Sequence, residues 1–169
     1  MMTLKKNKTL IVGVGNDILS DDGIGIKLVW DLESCFAKAS QDRETMQPID
    51  FKTAALGGLE LLELIQGYEH VIFIDAIKTE GGVPGAVYEM TTDDFKETHH
   101  LSHVHDVSFL QALELGRRTG MKVASKINII AIEIVEDLLF SDDFSPEVAA
   151  KWPEIKETVL QLVNKYLNQ

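Results

Sequence analysis

Apolar residues along this chain fall into short runs separated by polar, glycine-bearing stretches. Thr9 to Val14 is β-branched and apolar and ends among glycines, which predicts a short buried strand. From Asp22 to about Ala37, residues Gly25, Leu28, Val29, Leu32, Cys35 and Phe36 recur at helical spacing, with Ser20 or Asp21 placed to cap the helix. Cys35 on that stripe reads as a small core residue rather than a nucleophile, because buried thiols are inert. A polar connection follows, then a second candidate strand from Pro48 to Thr53 and a turn at Ala55-Leu56-Gly57-Gly58. Leu59 to Gln66 reads as a compact helix closed by Gly67. His70 to Ala76 is the clearest strand, an apolar run ending at Asp75. Gly81 to Gly85 is turn material, and the short strand Ala86 to Met90 after it is a candidate for an antiparallel edge. Thr91 to Val104 is polar and histidine-rich and reads as a loop. Asp106 to Arg118 predicts an amphipathic helix with Phe109, Leu110, Leu113 and Gly116 inward; Lys126 to Ile134 predicts a strand apolar on both faces. After an acidic connection, Ser145-Pro146-Glu147 places a cap and a proline at the start of a last helix. Pro153 is expected to interrupt that helix after one turn, with Trp152, Ile155, Val159, Leu162, Val163 and Tyr166 continuing its stripe.

Strands alternating with helices predict an α/β fold: a three-layer sandwich whose twisted, mostly parallel five-stranded sheet is flanked by helices. Residues 1–169 are expected to form a single domain. The longest apolar runs, Val71 to Ile74 and Ile127 to Ile132, are strand-sized rather than membrane-spanning. Lys5, Lys6 and Lys8 precede a run too short for a signal peptide, so the expected location is the cytoplasm. The net charge of −11 argues against a nucleic-acid surface, which needs a basic face. Cys35 is the single cysteine, so no internal disulfide and no Cys/His zinc pattern can form.

In open α/β sheets, ligands bind beyond the carboxyl ends of the strands. The polar residues placed there are Asn16, Asp17, Asp21 and Asp22 after the first strand, Asp75 at the end of the middle one, and Glu133 at the last. His99, His100, His103 and His105 precede the third helix. Two carboxylates and an imidazole would make an O,O,N site open to zinc, nickel or manganese, with positions left for water or substrate. A helix cap at Asp22, a turn residue at Asp75 and solvated polarity among the histidines account for the same spacing. A dinucleotide fingerprint fails: Gly13 and Gly15 fit G-x-G-x-x-G, but Ile18 stands at the third glycine, and Asp21 and Asp22 would face a pyrophosphate. No P-loop lysine follows the glycines, and no G-x-S-x-G elbow occurs.

The stretch Gly13-x-Gly15-Asn16, followed by Asp21-Asp22-Gly23-x-Gly25, resembles the N-terminal signature of the hydrogenase maturation endopeptidases. The likeness runs on through Gly58-Leu59-Glu60-Leu61-Leu62, Val71 to Ala76, Pro84 to Tyr88, His105 to Leu113, and Ser145 to Val148. It implies an aspartic-type peptidase that cuts a C-terminal extension from the large-subunit precursor of a NiFe hydrogenase. It further implies that Asp22, Asp75 and His105 are the catalytic and metal-binding set. The metal would be nickel carried by the substrate, with zinc or cadmium able to stand in for it. His105 is preferred to His103 by its distance from Ala112-Leu113, and Asp21 or Asp17 is a candidate proton relay. The alternative is a non-proteolytic, nickel-binding checkpoint or chaperone for hydrogenase assembly. Two stretches depart from the family pattern. Thr53-Ala54-Ala55-Leu56 stands where the family has Asp-Gly-Gly-Thr, and Ala131-Ile132-Glu133-Ile134 where it has Gly-Ile-Glu-Pro. These bear on which hydrogenase is served and on how it docks, not on the three ligands.

Overall fold

A computed structural model describes residues 8–39, 48–55, 59–97 and 113–169. The elements in order are β1 (Thr9–Val14), a 3-10 turn (Ser20–Gly23), α1 (Ile24–Ala39), β2 (Ile49–Ala54), α2 (Leu59–Ile65) and β3 (His70–Ile77). Then come β4 (Val87–Met90), α3 (Thr92–Glu97), α4 (described over residues 113–118, the earlier part of the expected helix from Asp106 lying outside the described residues), β5 (Lys126–Glu133) and α5 (Pro146–Leu167). The sheet order is β2-β1-β3-β5-β4. β1 runs parallel to β2 and β3, and β3 parallel to β5, while β4 closes the edge antiparallel to β5. This is the expected sandwich, with the antiparallel edge at the strand that follows the Gly81–Gly85 turn.

Side chains alternate across the sheet, so each strand feeds two cores. Ile11, Ile72, Ile74, Ile130 and Ile132 pack with Leu28, Val29 and Leu32 of α1 and Val148, Ile155, Val159 and Val163 of α5. Leu10, Val12, Val71, Phe73 and Ile129 pack on the other face with Leu61, Leu62 and Ile65 of α2 and Leu113 of α4. The central strands are buried on both faces, which is why they read as continuous apolar runs. Among the described residues, no helix is long and apolar enough to cross a membrane.

Several expectations need correcting. Cys35 is exposed, because Leu28, Val29, Leu32 and Phe36 take the inward line and leave it at the solvent margin. Inertness by burial therefore does not apply to it. Part of the expected loop is the helix α3, which starts with a reciprocal cap: Thr91 N–H and Oγ1–H donate to Asp94 Oδ2, and Asp94 N–H donates to Thr91 Oγ1. Asp22 lies in the 3-10 turn, and α1 starts at Ile24. Pro153 does not break α5, which is continuous. A proline there costs the helix one hydrogen bond, about 3 kcal/mol. Val148 on one side of it and Ile155, Val159, Val163 and Tyr166 on the other are all buried, and that shared packing holds the two parts as one helix.

Candidate active site

Two glycines set the geometry at the carboxyl ends of β1 and β3. A Cβ added at Gly25 would lie 2.3 Å from the Ile74 carbonyl oxygen and 2.4 Å from that of Val14. Only a residue without a side chain lets the first turn of α1 press onto both strand ends. At Gly15 the backbone has φ +139°, and a Cβ would lie 2.0 Å from the Asp22 carbonyl oxygen. The chain leaving β1 thus folds back over the turn that carries Asp22, and Asn16 N–H donates to Asp22 Oδ2 at 2.8 Å.

Asp75 reaches the same end of the sheet from β3. The β1–β3 ladder closes at Gly13 opposite Ile74, so Asp75 stands one residue beyond it, beside Ala131 of β5. It follows Val71 and Phe73 in alternation, on the face covered by α2 and α4. Its Oδ1 accepts from Ala76 N–H at 2.8 Å. The 3-10 turn with Asp22 packs against β3, so both carboxylates belong to one end of one strand pair. His105, like His99, His100 and His103, lies outside the described residues. Among the described residues, no three His, Cys, Asp or Glu side chains form a group that could hold a metal. The turn that carries Asp22 and the part of β3 that carries Asp75 thus lie at the same end of the sheet.

The neighbouring carboxylate has a different fate. Asp21 is 0% exposed. Its Oδ2 accepts from Val135 N–H (3.1 Å), Glu136 N–H (3.0 Å) and Ser145 Oγ–H (2.7 Å), and its Oδ1 from Ser145 N–H (2.7 Å). Four donors, drawn from the end of β5 and the start of α5, saturate it. A carboxylate at the start of α5 also meets the positive end of that helix's dipole. Asp21 is thus a brace and has no exposed edge from which to relay a proton; Asp17 is exposed. Ser145, expected to cap α5 itself, makes no side-chain cap bond there and gives its hydroxyl to Asp21 instead. The pairing had a sequence signal in Asp21 and Ser145, each beside a helix start, but nothing local joined them.

Ser20 completes the strained corner. It is the single non-glycine residue with positive φ among the described residues (33°). Its N–H donates to Ser141 O and its Oγ–H to Asp143 O, which hold it there. Glu133 is buried and accepts from Thr79 N–H at 2.6 Å and Thr79 Oγ1–H at 2.8 Å. It ties the Gly81–Gly85 turn to β5. Tyr88 beside it has its phenol pushed up by burial, then by the charge and hydrogen bond of Glu133. Lys78, just past β3, went unremarked in the sequence. Its ammonium bonds Asp137 at 2.8 Å, and that bond raises its pKa against the opposing effect of burial.

Comparison with known proteins bears on the family and the fold. A family model described as hydrogenase maturation protease matches residues 35–162. The hydrogenase 2 maturation protease of Escherichia coli is 28% identical over 90% of this chain and 88% of its own length. The hydrogenase expression/formation protein HupD of Rhodobacter capsulatus is 23% identical over 89% of this chain and 69% of its own. In structure, the E. coli hydrogenase maturating endopeptidase HybD superposes with a TM-score of 0.71 at 25% identity, covering 94% of this chain and 93% of its own. The matched family segment includes Asp75 and His105, and the longer alignments extend over nine-tenths of the chain. With the family model, the relatives and the fold in agreement, the chain belongs to the hydrogenase maturation protease family and is an endopeptidase.

Proposed function

We propose that this endopeptidase removes a C-terminal extension from the nickel-loaded large-subunit precursor of a NiFe hydrogenase, and that Asp22, Asp75 and His105 bind the nickel carried by that substrate. The observation that supports it is the close approach at Gly25, which brings the turn bearing Asp22 onto the end of β3 where Asp75 stands. Two carboxylate groups and an imidazole suit a borderline divalent ion, so zinc or cadmium would substitute for nickel in vitro. The carboxylates make the enzyme aspartic-type in the sense that its essential groups are aspartates. Nickel held in the substrate places the scissile carbonyl, and a cation there polarises it or activates the attacking water. Asp22 and Asp75 orient the precursor from two layers of the fold. This chemistry belongs in the cytoplasm, where the precursor is assembled.

The test is processing of a nickel-loaded precursor, followed by intact-mass spectrometry. Asp22→Ala, Asp75→Ala and His105→Ala are each expected to slow loss of the extension about 100-fold or more, the scale of one lost catalytic group. Unimpaired processing by all three variants would reject the assignment. The same assay separates the second reading, a nickel-binding checkpoint that never cuts: such a protein binds the precursor and leaves its mass unchanged.

A further inference from the structure

Beside the turn that carries Asp22 lies an apolar surface that belongs to neither core of the described residues. Ile18 is 51% exposed, Leu138 78%, Leu139 59% and Phe140 76%, and none belongs to either core. Among the described residues, the other large exposed apolar side chains, Trp30, Val83 and Leu115, lie on α1, in the β3–β4 turn and on α4. The four are held together by backbone bonding. Leu19 and Ser141 form a parallel bridge, with Ser20 N–H on Ser141 O at 2.9 Å and Ser141 N–H on Ile18 O at 3.1 Å. Ile18 therefore runs alongside Phe140.

The loop that presents them is fixed. Glu136 Oε1 accepts from Leu138 N–H (2.8 Å) and Leu139 N–H (3.0 Å), Lys78 holds Asp137, and Lys27 Nζ–H donates to Asp142 O. Asp22 N–H donates to Leu19 O, so the surface continues directly into the turn that carries the proposed ligand. Fixed apolar side chains bind a partner without the cost of ordering them. Exposed Asp17, Asp142 and Asp143 flank the patch. The whole chain carries −11, so a second copy would bring acid against acid.

Resting on the function proposed above, we infer that Ile18, Leu138, Leu139 and Phe140 are the docking surface for an apolar segment of the precursor protein flanked by lysine or arginine. This surface sets affinity for the protein substrate, while Asp22 and Asp75 act on its metal-bearing end.

The test uses the full chain with nickel-loaded precursor, reading both affinity by interferometry and steady-state processing. L138S/F140S is expected to weaken binding and raise KM about 10-fold or more, the effect of losing central apolar anchors, with kcat and Tm kept. Leu138→Met with Phe140→Leu should restore affinity. Asp142→Asn, or added salt, should weaken binding of the wild type. Unchanged affinity and KM in L138S/F140S overturns the docking surface, as does a fall in kcat alone. A wild-type dimer that the double variant dissociates in sedimentation overturns it in favour of self-association. Binding without cleavage by the wild type counts against the proposed function and leaves the docking surface standing on the affinity readout.

Discussion

The two faces of the sheet are built differently. On one, the long helices α1 and α5 cover Ile11, Ile72, Ile74, Ile130 and Ile132, and Asp21 braces the turn before α1 to Ser145 at the start of α5. On the other, α2 and the described part of α4 cover Leu10, Val12, Val71, Phe73 and Ile129. Asp22 belongs to the braced face through its turn, whereas Asp75 alternates onto the face of α2 and α4. The candidate site therefore draws on two layers of the fold: Asp22 sits in a turn that Asp21 braces to α5, and Asp75 on the opposite face of β3.

The brace gives the largest effect that would test this contrast. Asp21→Ala leaves the buried Ser145 donors and the part-buried Val135 and Glu136 N–H groups without their acceptor and is expected to cost about 3–5 kcal/mol. That is a Tm loss of about 10 °C for a chain of this size, read by calorimetry; a loss under a couple of degrees would deny the brace. Next, Gly25→Ala forces a Cβ against two backbone oxygens that cannot turn aside, and about 3 kcal/mol or more should be lost in urea denaturation.

Core truncations then compare the faces directly. Ile155→Ala and Leu62→Ala should each cost about 2–4 kcal/mol. Leu62 is the side chain that Gly116 of α4 accommodates; a Cβ at Gly116 would meet it at 2.9 Å. Its loss loosens the layer toward which Asp75 points, so processing below the melting transition should fall further in Leu62→Ala than in Ile155→Ala. Equal losses would erase the distinction.

The smallest effect lies at the opposite end of β3. Burial lowers the pKa of His70, with Asn128 opposing through a hydrogen bond and Lys126 reinforcing by its charge. The unfolded chain then binds the proton more readily than the folded one. Stability is therefore full above the ordinary histidine pKa and declines as pH falls through the lowered folded value. A Tm–pH series should show a small acid-side loss that His70→Gln reduces; no difference between the two would remove His70 from the account.

Much of this arrangement is legible in the chain itself. Val71 to Ile74 could only be a buried strand, and Asp75 at its end had to fall at the carboxyl edge of the sheet. Other features depended on more than one local rule. The cap at Thr91 and Asp94 was present in the sequence, but the polarity around it outweighed it as a signal for α3. Pro153 is a helix breaker by local preference, overridden by the sheet beneath α5. Cys35 sits beside an apolar stripe without being part of it, a difference that helical spacing alone does not resolve.

Sequence by itself determined the strands, their order among helices and the polar residues that terminate them, because alternation and apolar runs are local consequences of burial. It also placed Asp21 and Asp22 together at one turn. Only the tertiary structure decided which of the two is the brace. Asp21 finds its donors more than a hundred residues away, at a separation of 124 for Ser145, and no local pattern encodes such a partner. Adjacent residues on one turn point in different directions, so one carboxylate was drawn into the interior by that distant helix while the other accepts from Asn16 N–H beside the end of β1.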